Sequence, residues 1–322
     1  MHIPVLAAEA IEWLRIRPEG VYLDATVGAG GHAQAILERL TTGRLIAIDR
    51  DPVAVSAARE ALRPYASRLT LAQQDFAELP SLLGRLGLPG VDGILVDLGI
   101  SQMQLDAAER GFSFQAEGPL DMRMDPSQRL TAAEIVNRYG ERELADLIYQ
   151  FGEERRSKRI ARAIVRARPV QNTRQLAELI AACLGGGREA SRHPARREKR
   201  ASWEAAARTM KRGIHPATRT FQALRIAVNQ ELERLEQLLR DAPVCLLPGG
   251  RIVCISFHSL EDRLVKRYFR RWQREGVLRI LTPRVVRPSP EELRRNRRSR
   301  SARLRAAERL PGSPPRSAAA AD

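Results

Sequence analysis

The stretch Asp24-Ala-Thr-Val-Gly28-Ala-Gly30-Gly31-His32 sits between a short apolar run at 21–26 and a helical pattern at 33–40. A glycine-rich turn in that position lets a ligand approach the backbone, and the helix N-terminus behind it favours polar or anionic groups. The stretch therefore predicts the first strand-to-helix turn of an open α/β sheet, with a nucleotide-type ligand lying on it. Eighteen residues past Gly31, Asp49 ends a second apolar run at 44–49. A carboxylate there is placed to accept from both hydroxyls of an adenosine ribose. The spacing Gly28-x-Gly30-x-x-Ala33 also fits a dinucleotide fingerprint, so the turn alone leaves two cofactor classes open.

Working outward, β-branched and Leu-rich runs recur at 69–73, 93–97 and 251–256, with helical patterns at 52–62 and 79–86 between the early ones. Nearly continuous apolar character marks strands covered on both faces, and strand-helix-strand in series predicts a parallel, doubly wound α/β sheet. Asp75-Phe76 follows the third strand and offers a carboxylate and an aromatic face. Asp97-Leu-Gly-Ile-Ser101 follows the fourth. Four acids thus fall at consecutive strand ends, where open α/β sheets bind ligands. His32 has no partners at metal-ligand spacing, and no metal site is expected.

The alternation stops after Asp97 and resumes with a long helical pattern at 218–239 that leads into the strand at 251–256. In the gap, Thr131-Ala-Ala-Glu134 reads as a capping box, and 141–151, 154–168 and 172–182 have helical periodicity. The expected organisation is a discontinuous sheet domain, 1–124 with 213–288, an inserted helical domain at 125–212, and a basic tail at 289–322. The tail's end, rich in Pro, Ser and Ala from Leu310, is expected to be disordered.

The chain of 322 residues carries 54 Lys+Arg against 38 Asp+Glu, a net charge of +16. Residues 188–212 hold nine basic and three acidic side chains, and residues 283–305 nine and two, so these stretches supply +6 and +7 of that excess. Such segments predict a polyphosphate partner. Three cysteines without metal-ligand spacing predict free thiols in a reducing compartment. With no long apolar run, the protein is expected to be soluble and cytoplasmic, with no membrane partner.

Longer motifs then narrow the reading. Thr26-Val-Gly-Ala-Gly-Gly-His32, Ala47-Ile-Asp-Arg-Asp-Pro52, Glu109-Arg-Gly-Phe-Ser-Phe114, Gly118-Pro-Leu-Asp-Met-Arg-Met-Asp125, His215-Pro-Ala-Thr-Arg-Thr-Phe-Gln222 and Ile255-Ser-Phe-His-Ser-Leu-Glu-Asp-Arg263 resemble the RsmH (MraW) family of small-subunit ribosomal RNA methyltransferases, from about residue 4 to about residue 308. The resemblance implies a class I S-adenosylmethionine-dependent methyltransferase fold with an inserted all-helical domain. It also implies methylation of the exocyclic N4 of a cytidine, position 1402, of 16S ribosomal RNA near the decoding centre. By the same resemblance Gly28, Gly30, Gly31 and His32 hold the cofactor S-adenosylmethionine, Asp49 takes its ribose, Phe76 lies by the adenine, and Asp97 and Gln104 complete the pocket. The family reads Asp-Leu-Gly-Val-Ser-Ser-Pro-Gln where this chain has Asp97-Leu-Gly-Ile-Ser-Gln-Met-Gln104, so a loop proline is lost.

The chemistry suggests roles beyond the cofactor. The N4 lone pair of cytosine is delocalised into the ring, so alignment and hydrogen bonding must make it available. Asp97 and Ser101 are candidate acceptors from the amino group, His258 a candidate general base, and Phe257 with His258 the candidate wall of the base pocket. His215, Arg219, Arg197, Arg200 and the tail arginines at 294–305 are candidate RNA contacts, with 16S ribosomal RNA in the small subunit as partner; a homodimer is left open. An NAD-dependent oxidoreductase and a non-catalytic RNA-binding protein are the competing readings.

Overall fold

The computed structural model of the protein describes residues 4–185 and 215–312. Its chain divides into two compact units, Met1–Ser101 with Leu232–Asp322, and Gln102–Glu231.

The first unit is built on a seven-stranded sheet: β1 (Val21–Asp24), β2 (Arg44–Asp49), β3 (Leu69–Gln73), β4 (Val91–Asp97), β5 (Leu246–Ser256), β6 (Leu278–Ile280) and β7 (Arg303–Arg309). The spatial order is β3-β2-β1-β4-β5-β7-β6. The pairs from β3 across to β5 are parallel, while β7 runs antiparallel to both β5 and β6. A dinucleotide-binding sheet of the 3-2-1-4-5-6 type has no such reversed strand wedged between its fifth and sixth. The 3-2-1-4-5-7-6 order is that of class I methyltransferases, and it decides between the two cofactor classes that the glycine turn left open.

Both faces of the sheet are apolar, as the near-continuous strands predict. Tyr22, Leu45, Ala47, Leu95, Val253 and Ile255 bury against α1 (Ala7–Leu14), α2 (Gly31–Leu37) and α3 (Pro52–Ala61). The alternate residues Leu23, Ile46, Ile48, Ile94, Val96 and Ile252 point the other way. They meet α4 (Leu79–Arg85), the Leu232 side of the helix Glu231–Cys245, and the helix Ser259–Arg274 through Val265, Phe269 and Trp272. The period of two sorts side chains between two helical layers, which is why each strand reads as unbroken.

The second unit is helical: α5 (Gln102–Asp106), α6 (Ala132–Arg138), α7 (Glu141–Gly152), α8 (Ser157–Ala167), α9 (Thr173–Gly185) and α10 (Thr218–Asn229). Thr131 caps α6 by accepting from Glu134 N–H at 3.2 Å. The Pro-Leu-Asp-Met-Arg-Met run is a structural tie. Asn229 donates from Nδ2 to Met122 O at 2.7 Å and accepts at Oδ1 from Met124 N–H at 2.8 Å, while Arg123 pairs bidentately with Asp121. Gly111 in this unit has φ +70°, and a Cβ there would lie 2.1 Å from Pro119 O, so only glycine fits.

Several boundaries differ from those expected. Both edges of the insert move outward: residues 215–231, expected in the sheet domain, group with the helical unit, as do residues 102–124, whose backbone Asn229 and Thr173 hold; Gly118 N–H donates to Thr173 Oγ1 at 3.1 Å. The single helix expected over 218–239 is two, α10 and α11 (Glu231–Cys245), broken at Gln230 with φ +50°. Arg225 at the break grips Glu231 through two bonds of 2.8 Å. The expected separate tail from 289 instead supplies β7 to the interior of the sheet, after α12 (Ser259–Arg274) and α13 (Pro290–Arg295). Arg305 donates to both carboxylate oxygens of Asp262, and Arg303 lies 4.0 Å from it, so these tail arginines are anchored to α12. Residues past 312 lie outside the described ones. Among the described residues no helix is long and apolar enough to cross a membrane.

Candidate active site

The glycine turn is stretched between its two neighbouring strands. On the β2 side, Val27 N–H donates to Ile48 O at 2.9 Å, and Gly28 N–H donates to Asp49 Oδ2 at 3.0 Å. On the β4 side, Ala25 N–H donates to Leu95 O at 2.9 Å, and Asp97 N–H donates to Thr26 Oγ1 at 2.7 Å. Gly28 and Gly30 have φ +52° and +90°, a region that L side chains rarely adopt, and a Cβ on Gly30 would press Leu62 at 3.2 Å. Gly31 starts α2 with Pro4 against it, where a Cβ would lie 3.2 Å from the proline ring. The turn is thus a fixed cradle, and Thr26 is the residue that the sequence reading overlooked. A hydroxyl two places past a strand end was the available signal.

Acids converge here. Asp49 Oδ1 accepts from Asp51 N–H at 2.9 Å, so each oxygen already serves one backbone donor and keeps a further lone pair for a ligand. Burial pushes its carboxyl up to about 6. Asp24, fully buried, accepts at Oδ1 from Thr26 N–H at 3.1 Å and has no partner for Oδ2. Burial raises it to about 7, with the nearby Asp97 and Asp49 charges adding to the shift and His32 opposing it. His32, 5% exposed, places Nε2 3.5 Å from Asp97 Oδ2, and neither ring nitrogen has a closer partner. Burial lowers the pKa of this ring, but the Asp97 contact and the Asp24 and Glu292 charges outweigh it, and the net shift is upward. Asp97 Oδ1 is likewise buried without a partner. Orphaned polar atoms on Asp24, His32 and Asp97 beside a glycine cradle are what a polar, cationic cofactor satisfies, so these residues fit a sulfonium donor bearing an adenosine.

A pH dependence follows. Asp24 and Asp49 are raised above their unfolded values, so the stability they contribute is present below about pH 4 and is lost as pH rises through 6 to 7. The ligand-free protein is expected to melt several degrees lower at pH 8 than at pH 5, and Asp24→Asn to flatten most of that fall. Thermal melts across this range check it; a flat or rising wild-type profile counts against the assignment.

At the third strand end, Asp75 caps the following turn by accepting from Ala77 N–H at 2.9 Å, and its Oδ2 lies 3.5 Å from Arg234 Nη1. That carboxylate is therefore engaged within the protein, and half-buried Phe76, packed on the core beneath, is what this turn offers a ligand. Ser101 ends the first unit after β4, whereas Gln104, 5% exposed, belongs to α5 of the second. At the fifth strand end, Phe257 lies over the β4 turn: a Cβ on Gly99 would meet its ring at 3.4 Å. Glu261 Oε2 accepts from the backbone N–H of Phe257 at 2.8 Å and of His258 at 3.2 Å. His258 caps α12, with Nδ1 accepting from Glu261 N–H at 3.4 Å and Nε2 3.1 Å from Glu261 Oε1. Nδ1 is therefore taken up by the cap, while the buried Nε2 faces Glu261 without a hydrogen bond.

In the second unit, His215 accepts at Nδ1 from Ala217 N–H at 3.2 Å and stacks on Phe114 with centroids 4.6 Å apart; Phe114 meets Phe221 edge-on at 4.9 Å. Arg219 donates to Glu153 O at 3.2 Å yet stays 56% exposed. Arg197 and Arg200 lie outside the described residues. Of the three free thiols, Cys245 and Cys254 are buried and pushed up to about 12, which makes them inert, and Cys183 is half-buried.

The chain is 50% identical over 317 residues to a protein of Acidobacterium capsulatum named ribosomal RNA small subunit methyltransferase H, covering 96% of this chain and 98% of that one. It is 50% identical over 310 residues to a protein of the same name from Cyanothece sp., covering 96% and 95%. A solved rRNA methylase from Streptococcus thermophilus aligns at 10% identity with a TM-score of 0.40, over 96% of this chain and 99% of that one. The model of the MraW methylase family matches residues 1–310, and the chain belongs to that family.

Proposed function

We propose that this protein transfers the methyl group of S-adenosylmethionine to the exocyclic N4 of a cytidine in 16S ribosomal RNA near the decoding centre. Membership of a methylase family and relatives named for small-subunit ribosomal RNA methylation support the coarser statement, a methyltransferase acting on that RNA with S-adenosylmethionine as its cofactor. The observation that carries the finer one is Asp97: a carboxylate at the tip of β4, 24% exposed, with one oxygen unpartnered and the other facing a buried histidine.

The donor, when bound, supplies an electrophilic methyl on a positively charged sulfur. Gly28, Gly30, Gly31 and Asp49 hold its adenosine side, with Phe76 beside the ring. Asp97 accepts a hydrogen bond from the N4 amino group and pulls its lone pair out of conjugation, with Ser101 as the neighbouring acceptor. As the N–CH3 bond forms and the S–CH3 bond breaks, one N4 proton leaves toward Asp97. His32 Nε2 faces that carboxylate at 3.5 Å. Phe257 walls the base pocket with its backbone held by Glu261, and His258 caps α12 beside it. The target base leaves its stack to reach these groups. His215 and Arg219, with Arg197 and Arg200, contact RNA.

Incubating small subunits from cells lacking the activity with radiolabelled donor tests the reading. Label recovered as N4-methylcytidine is the expected result; label on another nucleotide, or none, overturns it.

A further inference from the structure

Helix α12 divides its sixteen residues sharply. Val265, Tyr268, Phe269 and Trp272 are buried against the sheet, while Arg263, Lys266, Arg267, Arg270 and Arg274 are exposed on the outer face. The acids nearby are already engaged. Asp262 binds Arg305, Glu236 binds Arg267 and the Tyr268 hydroxyl, and Glu275 binds Arg271. Among the described residues no ion pair reaches Lys266, Arg270 or Arg274, which stand four apart along one stripe.

Like charges four apart destabilise a helix by roughly 0.2–0.5 kcal/mol per pair, and only cations in the last turn gain from the helix dipole. Folding alone therefore gives no reason to stack Lys266 and Arg270 ahead of the last turn. Position does give one. The helix leaves β5 directly after Phe257 and His258, so the stripe lies about 10 to 22 Å along the helix axis from the candidate base pocket, at about 1.5 Å per residue.

We propose that the outer face of α12 binds the ribose-phosphate backbone of the RNA that leads away from the target base, through Lys266, Arg270 and Arg274. This rests on the reading of the protein as an RNA methyltransferase. Arginine suits the partner, since its planar fork matches phosphate geometry. A membrane surface does not fit, because an interfacial helix sinks an apolar face into lipid and the apolar face of α12 is spent on the core.

The test uses the full chain and transcribed 16S ribosomal RNA, with affinity measured over a range of salt. The triple variant K266Q/R270Q/R274Q is expected to lower the slope of log affinity against log salt by about two, and to weaken binding on the order of tenfold or more near 0.15 M salt. Donor affinity should be unchanged, and the melting temperature equal or higher, because repulsion is relieved. A control triple, R39Q/R59Q/R63Q, removes the same charge from the α2 and α3 side and is expected to keep the wild-type slope. An unchanged slope in the α12 variant, or equal losses in both triples, overturns the proposal while leaving methylation by the wild type intact. A wild type that neither binds nor methylates the RNA overturns the functional reading as well.

Discussion

Replacing Asp97 by asparagine is expected to lower single-turnover methyl transfer by about 10²- to 10³-fold, the usual cost of one preorganised polar group at a reacting centre. Donor affinity should change by no more than about threefold by the same logic of an isosteric swap. The amide keeps the size of the side chain, and the Asp97 backbone N–H keeps its 2.7 Å bond to Thr26, so the turn that holds the cofactor is preserved. What is lost is the negative charge that accepts from the N4 amino group and faces His32 at 3.5 Å. The pH-rate profile supplies a second readout. Asp97 is the first of the groups that raise the His32 pKa, so in the variant the limb belonging to His32 should move to lower pH. Full turnover with intact donor binding would remove Asp97 from the chemistry.

Asp49→Ala acts on the other half of the site. Its carboxylate accepts from the backbone of Gly28 and of Asp51, and the alanine leaves both donors unpaired as well as removing the proposed ribose contact. A hydrogen bond to a charged group is worth about 1.5–3 kcal/mol, so loss of the ribose contact should lower donor affinity by calorimetry on the order of 10²- to 10³-fold. Global stability should fall far less. The carboxyl sits at about 6, so at neutral pH its removal also relieves a buried charge. Asp49→Asn separates the two contributions: the amide oxygen still serves one backbone donor, and the affinity loss should be intermediate. Donor binding that survives the alanine variant would place the ribose elsewhere.

Much of this was legible in the sequence. β2 and β3 fall at the predicted 44–49 and 69–73, since apolar runs bounded by polar turns have few alternatives. Arg303-Leu-Arg305 was legible as a final strand of the sheet, but not as an interior one. Arg303-Leu-Arg-Ala-Ala-Glu-Arg309 reads as the end of a basic tail, and only pairing with β5 on one side and β6 on the other shows that its arginines point at Asp262 while Leu304, Ala306 and Ala307 are buried. The break at Gln230 was equally hidden, because α10 and α11 share one apolar periodicity and the left-handed residue between them carries no glycine signal. Charge misled in another way. Net excess singled out 188–212 and 283–305, whereas α12 carries its cations among Glu261, Asp262 and a buried aromatic set, and its exposed stripe emerges only once the acids are seen to be paired.

The order of residues alone determined a nucleotide-binding α/β protein with a helical insert, because strand periodicity, the glycine turn and the acids at strand tips are all local features. The longer motifs added the cofactor class by resemblance, and tertiary structure supplied its physical ground, the antiparallel insertion of a strand more than two hundred residues from the glycine turn. It also decided which of the polar side chains are spent. A histidine has the same letter whether its Nδ1 caps a helix, as in His258, or its ring stands beside a carboxylate with neither nitrogen hydrogen-bonded, as in His32. Only burial and distance distinguish the two.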